Sequence, residues 1–182
     1  MANKKVSKRD LVLLAGNNIV LEQGLEQLTL EAVAKQAGVS KGGLLYHFPD
    51  KETLMQGIIQ RSLEDFERTV DDLYTTLPDV PGRWLRAFVM ATFDDDRTTP
   101  RAFIGMTTAI ASRPDLLALL QSTYSDWMER AIQSGVTPET ARLVIVATNG
   151  VWLERIFWED AGQDHLKDSL LNLISESVDG EG

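Results

Sequence analysis

Residues 29–51, TLEAVAKQAGVSKGGLLYHFPDK, constrain the fold of this chain more than any other stretch. Thr29 can cap a helix, because its hydroxyl can accept hydrogen bonds from the backbone amides two and three residues on. Gly38 can take the left-handed conformation that ends a helix, and Ser40 can cap a second helix straight after it. The spacing therefore predicts two short helices joined by a tight turn, which is a helix-turn-helix.

The second of these helices has a composition typical of a surface that meets nucleic acid. Gly42 and Gly43 lie in its first turn, where each costs about 1 kcal/mol relative to alanine. Without side-chain bulk, the helix N-terminus can approach an anion or a groove wall closely. The donors available for phosphates and base edges are Lys41, Tyr46, His47 and Lys51. The alternative is that the two glycines form a plain loop and that Tyr46 is a half-buried core ring.

Residues 28–54 resemble the DNA-binding signature of the TetR family of bacterial one-component repressors. The matching positions are Thr29, Val33, Ala34, residues 37–42, Leu44, residues 46–48, Lys51 and Leu54. The resemblance implies that the helix bearing Lys41 to His47 enters the major groove, and that Thr29, Tyr46 and Lys51 contact phosphates. The DNA-binding positions that follow from it are Thr29, Ser40, Lys41, Gly42, Leu44, Tyr46, His47 and Lys51.

The distribution of charge agrees with a DNA-binding N-terminus, although the net charge of the whole chain is −9. Residues 1–51 hold seven basic and five acidic side chains, whereas residues 52–182 hold eleven basic and 22 acidic ones. A weakly basic head on an acidic body can orient the head towards the duplex. Ordinary solvated surface explains most of the carboxylates equally well.

Composition excludes several classes of protein and site. The chain has no cysteine, and His47 and His165 are its only imidazoles, so we expect no disulfide, no metal site and no cofactor. The basic start with a short apolar run resembles a signal peptide only superficially, and no apolar run reaches the roughly 20 residues of a membrane helix. We therefore expect a cytoplasmic protein that does not enter membranes.

Helical periodicity without strand alternation predicts an all-α chain of about nine helices. We expect a helix-turn-helix domain at residues 1–51 and an effector-binding and dimerisation domain at residues 52–182. In the first helix, Leu11, Leu14, Ala15 and Ile19 are expected to face inward. The predicted helices are residues 7–23, 30–37, 41–48, 51–74, 83–93, 100–111, 114–134, 138–160 and, after a cap at Asp164, 165–178.

The helix that begins at Pro138 is apolar around most of its circumference, which is more than one core face needs. A second buried face implies a partner, and the last helix offers a further apolar stripe beside it. We predict a homodimer in which these two helices of each subunit form a four-helix bundle. A monomer with a thick core is the alternative.

The aromatic residues concentrate in the second domain and indicate a ligand cavity. The resemblance implies a small-molecule pocket, and an apolar or cationic amphiphile would suit aromatic walls near Asp94 and Glu154. The alternative is that these aromatics are plain core. The candidate ligand-binding residues are Trp84, Phe88, Phe103, Met106, Tyr124, Trp127, Asn149 and Trp152.

Together these features predict a TetR-like transcriptional regulator, a dimeric repressor that a small molecule releases from a palindromic operator. The alternatives are a transcriptional activator and a helical protein-protein interaction module. An enzyme is disfavoured, because the carboxylates around His165 accompany no nucleophile motif and no glycine-rich phosphate cradle.

Overall fold

The computed structural model of this chain describes residues 7–94, 114–157 and 164–179. Within these ranges the chain is all-α, which confirms the predicted fold class. The predicted helix at residues 100–111 lies outside the described residues. The helices are α1 (Lys8–Gln23), α2 (Leu30–Ala37), α3 (Lys41–His47), α4 (Lys51–Thr76), α5 (Arg83–Thr92), α6 (Pro114–Gln133), α7 (Pro138–Phe157) and α8 (Asp164–Asp179), with one 3-10 turn at Leu25–Gln27.

Helices α1, α2 and α3 form the head, and local capping fixes the starts of α2, α3 and α4. The side chains of Thr29, Ser40 and Asp50 each accept a hydrogen bond from the backbone amide three residues on, at 3.1, 3.1 and 2.7 Å. Gly38 ends α2 with a φ of 65°, the left-handed conformation expected there. The predicted helix-turn-helix is confirmed, and so is the start of α4.

Helix α1 buries Ala15 and Ile19 as predicted, but not Leu11 and Leu14. Leu11 and Leu14 are exposed, whereas Val12, Leu13, Ala15, Gly16, Ile19 and Val20 are buried. Residues 11–15 are all apolar, so periodicity alone does not single out one face. Close contact with α4 decides it: a Cβ at Gly16 would lie 2.6 Å from the Ile58 side chain, so only the face carrying this glycine lets α4 approach.

Helix α4 connects the head to the body, which consists of α5 to α8. Near its start, Leu54 and Ile58 are buried in the same core as α1 and α3. Further along, Phe66 packs in the body against Phe88 of α5, with ring centroids 5.1 Å apart. Arg61 ties α4 to the start of α1 through an ion pair with Asp10 at 3.2 Å. Helix α4 therefore contacts both the head and the body.

The centre of the body is a cluster of aromatic rings. Phe66 of α4 lies 5.2 Å from Trp127 and 5.0 Å from Trp152, and Phe88 lies 5.2 Å from both Trp84 and Trp127, as measured between ring centroids. The pairs are tilted or edge-to-face, the geometries that aromatic quadrupoles favour. This aromatic cluster joins α4, α5, α6 and α7 in one core.

Candidate nucleic-acid interface and ligand cavity

Helix α3 presents an exposed polar surface on an apolar base. Tyr46 is 84% exposed, and its ring stands edge-on to His47 at a centroid distance of 5.1 Å. Ser40, Lys41 and Gly42 are also exposed at the start of the helix. The interpretation of Tyr46 as a half-buried core ring is therefore wrong, and the helix offers its polar tips to solvent.

Leu44 forms part of the base of α3, not of its exposed surface. Its side chain is fully buried in the head core, and Phe48 at the end of the helix is 2% exposed. A buried side chain cannot reach a groove, so the expectation that Leu44 contacts DNA is corrected. Leu44 and Phe48 instead anchor α3 in the core of the head.

Two of the predicted phosphate donors have partners within the chain. The ammonium of Lys41 pairs with the carboxylate of Glu31, and this hydrogen bond holds the pKa of Glu31 below its ordinary value. The ammonium of Lys51 donates to the backbone carbonyl of Leu25 at 3.3 Å. An ammonium has three donors, so both lysines keep hydrogen-bonding capacity for a phosphate.

The two glycines of α3 have different surroundings. A Cβ at Gly43 would lie 3.1 Å from the Ser40 hydroxyl that caps the helix, so a side chain there would crowd the cap. A Cβ at Gly42 would meet nothing within 4 Å. The fold supplies no internal reason for a glycine at position 42. Gly42 is instead open to solvent, so another molecule can come close to the backbone at this position.

Helices α4, α6 and α7 surround a cavity of about 720 Å³. Four of the predicted ligand-binding residues line it, namely Tyr124, Trp127, Asn149 and Trp152. Trp84 and Phe88 are buried in the aromatic cluster behind the cavity and do not line it, which corrects their predicted place. Phe103 and Met106 lie outside the described residues.

The cavity has an apolar floor and a more polar rim. Leu63, Trp127 and Trp152 are buried at its floor, and the exposed side chains of Gln121 and Ser125 border it. The polar lining among the described residues is uncharged, from Gln121, Thr123, Ser125, Asn149 and the hydroxyl of Tyr124. Such a lining, with few polar groups on aromatic walls, is typical of a small-molecule site.

Several lining residues were missed by the sequence interpretation. Those on α6 and α7 share a helical face with residues that it did select: Leu120, Tyr124 and Trp127 follow at spacings of four and three, and Val146 precedes Asn149 by three. A face-by-face analysis of these two helices could have identified them, but not Leu63 of α4. The missed lining residues are Leu63, Leu120, Gln121, Thr123, Ser125 and Val146.

Helix α7 carries an apolar stripe that the described residues leave exposed. Leu143, Val146 and Leu153 are each more than half exposed, and exposed Gly150 continues the stripe. Their spacings of three, four and three place them on one side of the helix. This is the helix for which the sequence predicts a partner.

Within the described ranges, no helix has the length and hydropathy needed to span a bilayer.

Two family models match separate stretches of the chain. The model described as bacterial regulatory proteins, tetR family, matches residues 7–58. The model described as tetracyclin repressor-like, C-terminal domain, matches residues 82–178. The second match alone covers more than half of the 182 residues.

Similar proteins cover most of the chain. The HTH-type transcriptional regulator BetI of Stenotrophomonas maltophilia (strain R551-3) is 26% identical over 156 residues, which are 80% of each chain. The crystal structure of a transcriptional regulator from Rhodococcus sp. Rha1 has a TM-score of 0.78 at 20% identity, covering 96% of this chain and 97% of that one. The multidrug binding protein EbrR, solved in complex with malachite green, has a TM-score of 0.67 at 21% identity, with coverages of 91% and 96%.

Proposed function

Because the chain belongs to the TetR family of bacterial regulatory proteins, we propose that it is a dimeric transcriptional repressor released from its operator by a small molecule. Such a regulator works without catalysis, in the cytoplasm, where bacterial DNA lies. The observation that carries the proposal is the exposed surface of α3, where the open space at Gly42 lies beside the lysine and tyrosine that follow the cap.

The exposed face of α3 suits the major groove. Gly42 lets the first turn come close to the duplex, and Tyr46 and His47 extend from the last turn. Lys41, Lys51 and the amides at the capped N-termini of α2 and α3 suit phosphates. We assign DNA contacts to Thr29, Ser40, Lys41, Gly42, Tyr46, His47 and Lys51.

A palindromic operator requires two heads, and the apolar stripe on α7 supplies the means to join them. A second copy of the chain would cover Leu143, Val146 and Leu153, which water otherwise meets. Helix α8 lies beside α7, and its partly buried Leu166 and Leu173 can extend the apolar surface, whereas Leu170 and Ile174 are buried within the subunit. A bundle of two helices from each subunit then fixes the spacing of the heads.

Release of the operator follows from the path between the cavity and the head. We propose that the ligand contacts Tyr124, Trp127, Asn149 and Trp152. Leu63 of α4 lines the same cavity, and Phe66 packs behind its two tryptophans, so a bound molecule displaces α4. The pair of Arg61 with Asp10 transmits that displacement to the head. The fold shared with EbrR, solved with malachite green, supports an internal ligand site.

Fluorescence anisotropy of labelled DNA from upstream of the chain's own gene tests the DNA-binding half of this proposal. We expect tight binding that weakens steeply between two salt concentrations. The double variant Tyr46→Ala/Lys51→Ala should lose binding. The matched control is Tyr74→Ala/Lys167→Ala, which removes one tyrosine and one lysine from positions outside the head and should bind like the native protein.

The outcomes separate the alternatives. Equal binding by both double variants would reject α3 as the reading surface. Failure of the native protein to bind its upstream region and random genomic fragments at low salt would reject the DNA-binding function. It would favour a protein-protein interaction module instead.

A further inference from the structure

One carboxylate of α4 is fixed to the wall of the cavity. Glu67 is half-buried, and its Oε1 accepts a hydrogen bond from the indole Nε1–H of Trp127 at 2.9 Å. The Trp127 side chain is 3% exposed and belongs to the cavity floor. The carboxylate therefore lies at the edge of a ring whose atoms border the cavity.

Glu67 differs from the acidic residues on either side of it along α4. Asp65 pairs with Arg61 at 2.8 Å and with Arg68 at 2.6 Å, and Asp71 pairs with Arg130 at 2.9 Å. Among the described residues, no lysine, arginine or histidine forms an ion pair with Glu67, and no charged side chain lines the cavity. Within the described part of the protein, the hydrogen-bond partner recorded for the Glu67 carboxylate is the neutral indole of Trp127.

This arrangement favours positive charge inside the cavity. Tyr124, Trp127 and Trp152 offer aromatic rings, and the electron-rich face of an aromatic ring attracts a cation. A hydrogen bond from the indole N–H to an anion increases the electron density of the ring and strengthens that attraction. Glu67 is half-buried, so water screens its charge less than it screens that of a fully exposed carboxylate. The same negative charge repels an anionic ligand.

We propose that the cavity selects a hydrophobic cation, and that Glu67 is the specificity-determining residue, acting through Trp127. The cation lies against the aromatic walls, and the fixed carboxylate supplies its counter-charge. This inference rests on the proposal that the cavity is the effector site, and it names the chemical class of the effector.

Calorimetric titration of the full-length protein with two matched dyes tests the inference. Crystal violet is a hydrophobic cation, and leucocrystal violet has the same three aryl arms without the permanent charge. We expect the native protein to bind crystal violet at least about tenfold more tightly than the leuco form. Glu67→Gln retains an acceptor for the indole N–H and removes the charge. It should lose about tenfold in affinity for crystal violet and nothing for the leuco form.

Asp71→Asn is the matched control, because it neutralises a carboxylate one turn further along the same helix. It should bind both dyes as the native protein does. Trp127→Phe is a second test, because it keeps an aromatic wall and removes the N–H that links the wall to Glu67. It should lower the affinity for crystal violet more than the affinity for the leuco form.

Native-like affinity of Glu67→Gln for crystal violet would overturn the inference. Equal binding of the two dyes by the native protein, or binding of neither, would overturn it as well. Operator binding by the ligand-free protein is measured in parallel. If the ligand-free protein binds the operator and a neutral molecule releases it, only the proposed charge selectivity is rejected. If the native protein binds no DNA, the proposed function fails whatever the dyes do.

Discussion

The exposed surface of α3 and the aromatic cluster of the body use aromatic side chains in opposite ways. Tyr46 of the head is 84% exposed and contributes almost nothing to a core, whereas Phe66, Phe88 and Trp127 of the body are nearly or fully buried and pack on one another. Residues on the exposed surface of α3 can therefore be substituted without loss of stability. In the body, the residues proposed to bind ligand also hold α4 in place, so ligand binding and stability are coupled there.

The largest effect should come from truncating the ring on which the aromatic cluster depends. Phe66→Ala removes contacts with Phe88, Trp127 and Trp152 and leaves a cavity, so we expect a loss of about 3–5 kcal/mol in the free energy of unfolding. Urea denaturation at a fixed protein concentration measures it. Tyr46→Ala is the head counterpart and should change stability by about 0.5 kcal/mol or less. Similar losses of stability in Phe66→Ala and Tyr46→Ala would contradict the contrast between the aromatic cluster and the exposed surface of α3.

A smaller loss should follow a change where α4 meets the head. A Cβ at Gly57 would lie 2.8 Å from the Phe48 ring and 3.0 Å from the Leu13 side chain, both of which are buried. Gly57→Ala should therefore lower the free energy of unfolding by about 1–3 kcal/mol, the usual effect of overpacking. The thermal unfolding midpoint of Gly57→Ala shows whether the substitution destabilises or stabilises the protein. Stabilisation, the ordinary result of replacing a helical glycine by alanine, would show that α4 can move away from the head at little cost.

The head could be predicted from the sequence because its determinants are local. Each cap connects residues three apart, and Gly38 needs only its own backbone angles, so Thr29, Ser40 and Asp50 mark the helix starts without knowledge of the fold. Local reasoning was only half right for α1, where Ala15 and Ile19 are buried as predicted but contact with α4 leaves Leu11 and Leu14 exposed. It also failed for Leu44, whose burial depends on helices distant in sequence.

The body could be predicted only in part, because a cavity is formed by helices that are far apart in the chain. Aromatic composition identified Tyr124, Trp127 and Trp152 but could not separate them from Trp84 and Phe88, which lie one layer deeper. The bond from Trp127 to Glu67 spans 60 residues, and no sequence spacing indicates it. The domain boundary near residue 51 and the DNA and ligand contacts stay predictions.

A third prediction separates stability from function within the head. Gly42→Ala places a methyl group in open space on a helix, so the free energy of unfolding should rise by about 0.5–1 kcal/mol. If DNA approaches this position closely, the same variant should bind the upstream DNA several-fold more weakly. The control is Gly38→Ala, which also meets open space but requires a φ of 65° and should be destabilised. Unchanged DNA affinity in a stabilised Gly42→Ala protein would contradict the assigned contact.

The smallest effect concerns the ionisation of Asp10, which joins the head to α4. The hydrogen bond from the Ser7 hydroxyl at 2.7 Å, with the nearby charge of Arg61, holds the pKa of Asp10 below its ordinary value of 3.8. A carboxyl whose pKa is lower in the folded state stabilises the fold fully above the unfolded value, and this contribution is lost as the pH falls through the folded value. Between pH 6 and pH 3, Asp10→Asn should therefore lose less stability than the native protein does.

Chemical denaturation at several pH values measures that slope, and Glu22→Gln is the control. Glu22 is an exposed carboxylate on the same helix, and no hydrogen bond or ion pair involves its side chain among the described residues. If both variants keep the native slope, the pair of Asp10 with Arg61 does not couple the head to α4 energetically. Displacement of α4 would then reach the head through the apolar contacts at Gly16 and Gly57 alone, and the Gly57→Ala variant would be the more direct probe of ligand-driven release.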